Sequence, residues 1–65
     1  MQTTFTGTNR KTGKTLTFVV TFVVEGDGMD VTGVYLDGRR CIVDDTLGLR
    51  AYAAAETACR ANGWL

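Results

Sequence analysis

Histidine and proline are both missing from this sequence, and cysteine occurs only twice, at Cys41 and Cys59. Without histidine the commonest general acid/base is gone, and neither thiol has an imidazole to take its proton. Two thiolates also fall short of the four ligands of a tetrahedral zinc site. A non-enzymatic domain with no cofactor and no metal is therefore expected. The cysteines read as small buried hydrophobes kept reduced. A disulfide or redox pair is the alternative, and it needs their Cα atoms within about 7 Å. With no proline, the turns fall to glycine, asparagine and aspartate.

Net charge is lacking too: seven basic residues balance seven acidic ones, so overall charge supplies no affinity for a polyanion. No apolar run approaches the roughly 20 residues of a membrane-spanning helix, and no membrane partner is expected. MQTTFTGTNR has no basic stretch leading into an apolar segment and a cleavage site, which points to a cytoplasmic location. A chain of this size forms one domain with one core, burying only roughly 60% of its unfolded surface.

What is present is rich in strand formers. QTTFTGT reads as a short strand over about residues 2–8, and TNRKTGK as the turn after it. Threonine, valine and phenylalanine dominate the stretch from about 15 to 24, which predicts the longest strand. EGDGMD breaks it. A third strand over about 31–36 runs into Asp37-Gly38, the pair that favours a two-residue type I′ hairpin, and a fourth returns over about 39–43. The period then changes. Asp44, Asp45 and Thr46 offer N-cap groups, alanine recurs through Cys59, and Asn62-Gly63 stops a helix over about 46–61. Glu56 and Arg60 stand in the favourable i,i+4 order. The fold class is α+β: a four-stranded antiparallel β-meander with one C-terminal α-helix packed on one face, ββββα in two layers.

Alternation assigns the faces. Leu16, Phe18, Val20, Phe22 and Val24, with Val34, Leu36, Cys41 and Val43, form the larger apolar set and face the helix. The helix answers with Leu47, Ala51, Ala54, Ala55 and Ala58, flanked by Tyr52 and Cys59; so many alanines let its axis lie close to the sheet. The outer set is Thr17, Val19, Thr21, Val23, Val31, Tyr35, Arg40 and Ile42, with Gly33 a flat spot. About half of it is apolar, more than a wet antiparallel face needs. Val19, Thr21, Val23, Tyr35, Arg40 and Ile42 are thus the candidate interface, for a homo-oligomer or another protein.

In a meander the first and third turns share one end. Arg10, Lys11, Lys14, Arg39 and Arg40 gather there with Asp37. The other end is expected to hold Glu25, Asp27, Asp30, Asp44 and Asp45, and a helix starting there carries Arg60 back to the basic end. Nucleic-acid contact through the basic hairpin tips is the alternative function. In its pattern of elements Val31 to Ala61 resembles the sheet-plus-helix DNA-binding modules of integrase arm-binding and AP2-type domains, with no residue role implied. The remaining acids have structural explanations: Asp44-Asp45 suits a helix N-terminus, and Glu25, Asp27 and Asp30 match no calcium loop.

Overall fold

The residues around Asp37-Gly38 set the frame. In the computed structural model, which describes all 65 residues, Asp37 and Gly38 both take positive φ, 52° and 78°, as a type I′ turn demands. That turn joins β3 (Gly28–Leu36) to β4 (Arg39–Arg40), while β1 (Gln2–Thr8) and β2 (Thr15–Glu25) precede them. All neighbours pair antiparallel in the order β1-β2-β3-β4. The helix α1 spans Asp45–Ala61, so the two-layer ββββα architecture holds.

Both helix ends are closed by local chemistry. Asp44 is the N-cap, its Oδ1 accepting from the Leu47 amide at 2.7 Å. At the C-terminus Gly63 has φ 73°. The amide of Trp64 reaches Cys59 O at 2.8 Å and that of Gly63 reaches Arg60 O at 3.2 Å, the bond pair of a Schellman motif. The cap turns Trp64 back onto the core, with its ring centroid 6.3 Å from that of Phe22.

The core lies between β2, β3 and the helix: Val20, Phe22, Met29 and Val34 from the sheet, Ala51, Ala55 and Cys59 from α1. Phe5 stacks on Phe18 at 5.0 Å beside it. Cys59 is buried and Cys41 half-buried, and both are free thiols.

Three features depart from the sequence-based expectation. First, β3 begins at Gly28 and carries a bulge. Thr21 pairs with Gly33 and Phe22 with Val31, which leaves Thr32 without a partner position. The extra residue reverses alternation below it, so Val31 packs against the core and Asp30 stands on the outer face opposite Val23. Second, β4 has two residues rather than five. The Cys41 amide still reaches Val34 O at 2.8 Å, but Ile42 and Val43 lie in the connection to the helix and not in the sheet.

Third, this short return reverses the helix. The chain does not travel back along β3 before α1 starts, so the helix begins at the end it has just reached. Asp44, Thr46 and Leu47 line a groove with Gly7, Thr8 and Leu16 beside the first turn. Glu56, Arg60 and Trp64 line one with Gly26, Asp27 and Gly28 at the second. Asp44 and Asp45 therefore sit at the basic end and Arg60 at the acidic end, opposite to the expected placement. Charge separation along the molecule is correspondingly weaker.

Candidate interaction surfaces

The outer face of the sheet is built mainly of threonine. Register puts Thr4 beside Val19, Thr6 beside Thr17, Thr8 beside Thr15 and Gln2 beside Thr21. Thr21 and Thr32 join hydroxyls across the bulge at 2.8 Å. Of the residues singled out on this face, Val19, Thr21 and Tyr35 are half-buried, and Val23 and Arg40 are exposed. Ile42, 98% exposed, lies outside the sheet.

Tyr35 accounts for much of that burial. A Cβ added to Gly33 would stand 3.0 Å from Tyr35 Cε1 and 3.2 Å from both Tyr35 Oη and Thr21 Oγ1. The tyrosine ring therefore lies across Gly33 and shields its backbone. Next to it the Arg40 guanidinium donates from Nη2 to Thr32 O at 3.1 Å. The apolar part of the outer face is thus smaller than alternation suggested, and its aromatic is engaged within the chain.

Large exposed apolar side chains collect instead on the flank beyond β3. Val43, Leu49 and Tyr52 are 47%, 74% and 48% exposed. Val43 and Tyr52 also line a groove of about 290 Å³ between β3 and α1, together with Val31, Val34 and Ala51. Leu49 was not singled out from the sequence, although it stands off the Leu47, Ala51 and Ala55 line, and Val43 read as a helix-facing strand residue.

The sheet has two edges and they differ. β4 pairs only Tyr35 and Leu36 of β3, so the part of β3 before Gly33 has a free edge, but a defended one. It carries the bulge, the Arg40 guanidinium lies on Thr32 O, and Asp30 stands beside it. Bulges and charges of this kind are how proteins blunt an edge against pairing. β1 pairs with no further strand along its whole length and has neither bulge nor charge of its own, although the Arg50 guanidinium lies over Gly7, Nη1 3.4 Å from where a Cβ would stand. QTTFTGT holds no charge, and its register with β2 runs without a break from Gln2 to Thr8. A groove of about 480 Å³ runs between it and α1, lined by Phe5, Arg50, Ala53, Ala54, Thr57 and Ala58. Thr57 gives its hydroxyl to Ala53 O at 2.9 Å, so that hydroxyl is already partnered within the helix.

The basic residues Arg10, Lys11, Lys14, Arg39 and Arg40 are all exposed on the two turns of one end, where Asp37, Asp44 and Asp45 share the surface. No three histidine, cysteine or carboxylate side chains converge as a metal site would require, and no helix is long and apolar enough to cross a membrane. Comparison with protein-family models, with curated proteins and with solved structures yields no match.

Proposed function

We propose that this chain is a small, non-enzymatic protein-interaction domain that associates with copies of itself by extending its sheet. The observation that carries the reading is β1: a seven-residue edge strand, uncharged, unbroken and paired on one side only, in a fold that defends its other edge. Unpaired strand groups in that state are a template for another strand. The outer face supports the reading less strongly, since Tyr35 already lies on Gly33 and threonines fill most of the rest. The basic turns support nucleic-acid contact less strongly than the meander placement of charges suggested, because three aspartates share their end.

Sedimentation equilibrium from micromolar to millimolar protein tests the reading. The expected result is a mass rising above the 7.0 kDa of one chain. A single species of that mass throughout removes self-association.

A further inference from the structure

We infer that β1 pairs with β1 of a second copy, antiparallel about a two-fold axis at Phe5, so that two four-stranded sheets join into one of eight strands. This rests on the self-association reading and adds which edge is used, and in which register.

The register follows from where the backbone groups point. Met1 and Phe22 exchange both bonds, Phe22 N to Met1 O at 2.9 Å and Met1 N to Phe22 O at 3.1 Å. In an antiparallel ladder such pairs alternate with pairs that exchange none. Phe5, opposite Phe18, accordingly turns its N–H and C=O toward β2. Gln2, Thr4, Thr6 and Thr8 turn theirs to the free side. A second copy of β1 must then bring even positions against even positions. With Phe5 opposite Phe5 of the second copy, Thr4 meets Thr6 and Gln2 meets Thr8, twice each by symmetry. Every outward group between Gln2 and Thr8 is satisfied. Sliding by two residues in either direction leaves groups unpaired at the ends.

The side chains allow the same register. On the helix face, Phe5 meets Phe5 of the second copy and extends the Phe5–Phe18 stack across the axis. On the outer face, Thr4 meets Thr6, a favourable cross-strand pair, and Gln2 meets Thr8. β1 itself has no charge, and the Arg50 guanidinium lies over Gly7, which this register sets opposite Thr3 of the second copy. β3 fails this test. Its outward groups are those of Met29 and Val31, and pairing these two across an axis sets Asp30 directly against Asp30, a destabilising like-charge contact.

Seven residues make a strand about 24 Å long, and the shorter axes of the molecule are 21 and 20 Å. Even with the full 20 Å thickness in contact, the planar footprint is at most about 480 Å² on each copy, so the total reaches the about 1,000 Å² of a specific interface only where the two helices also meet.

Amide hydrogen exchange read by NMR, together with the sedimentation mass, tests the inference. The expected result is a dimer in which the Thr4 and Thr6 amides are protected. Thr4→Pro removes one outward N–H and leaves the β1–β2 ladder intact, so it should shift the protein to monomer with an unchanged far-UV circular dichroism spectrum. If that variant misfolds, Thr4→Lys with Thr6→Lys, both at exposed positions, places like charges across the axis and should have the same effect. Leu49→Lys with Tyr52→Lys on the far flank should leave the dimer intact. A dimer whose Thr4 and Thr6 amides exchange freely overturns the inference and leaves self-association standing. A wild-type monomer overturns both. A monomer whose β1 amides become protected only on adding an unrelated extended peptide also overturns both, and assigns the edge to another protein.

Discussion

Tyr35 lies across Gly33 two residues before it on the same strand, with Cε1 3.0 Å from where a Cβ on Gly33 would stand. Cross-strand neighbours complete the enclosure: Val19 is opposite Tyr35 and Thr21 opposite Gly33. Gly33→Ala must lift the ring or push Thr21 aside, and overpacking of this kind costs about 1–3 kcal/mol. Urea unfolding followed by circular dichroism measures it. Unchanged stability would mean that the ring does not rest there.

Asp44→Ala removes the acceptor that holds the Leu47 amide at 2.7 Å. N-cap losses of this type cost about 1 kcal/mol, and in a domain this small that lowers the melting temperature by roughly 4–8 °C. Asp44→Asn, which keeps a capping oxygen, should recover most of the loss, and Asp45→Ala should cost less than Asp44→Ala.

Deleting Thr32 should be tolerated. The residue is the one left over when Thr21 pairs with Gly33 and Phe22 with Val31, so its removal turns a bulge into regular ladder without moving any other side chain to the opposite face. Deleting Val31 instead removes a residue packed on the core and should be the more damaging by about 1–3 kcal/mol, the usual scale of a lost buried aliphatic. Parallel denaturant titrations of the two deletions decide it.

Gly63→Ala places a side chain at φ 73°, where a Cβ meets no neighbour but the backbone itself is strained. The expected cost is about 1 kcal/mol. Trp64 is the single tryptophan and rests near Phe22 through the same cap. Its fluorescence should therefore report loosening of the helix end. Identical emission spectra for wild type and variant would separate Trp64 from the cap.

Local chemistry was the legible part of this fold. QTTFTGT coincides with β1, Asp37-Gly38 makes the expected turn, and Asn62-Gly63 closes the helix, because each is decided by residues adjacent in sequence. The bulge was not legible. Thr32 finds its hydroxyl partner at Thr21, eleven positions earlier, and alternation alone gives no sign of it. The extent of β4 was misjudged for a related reason. Cys41, Ile42 and Val43 have strand propensity, but only three residues separate Arg40 from the cap at Asp44, and the helix starts at the near end of the sheet. That single shortening moved Ile42 off the outer face and carried Asp44, Asp45 and Arg60 to opposite ends. The candidate interface changed accordingly. Alternation drew attention to the apolar outer face, whereas an open edge becomes visible only once the strand order is known.

The line of Ala51, Ala55 and Cys59, each fully buried against the sheet, makes the two layers unequal in what they can accept. The sheet supplies Val20, Phe22, Met29 and Val34, whose volumes can be traded against one another as long as the sum is kept. Along this line the helix supplies little more than backbone and β-carbons, so there it has no volume to trade. Drift in this core should accordingly run through β2 and β3, while the helix residues facing them stay small.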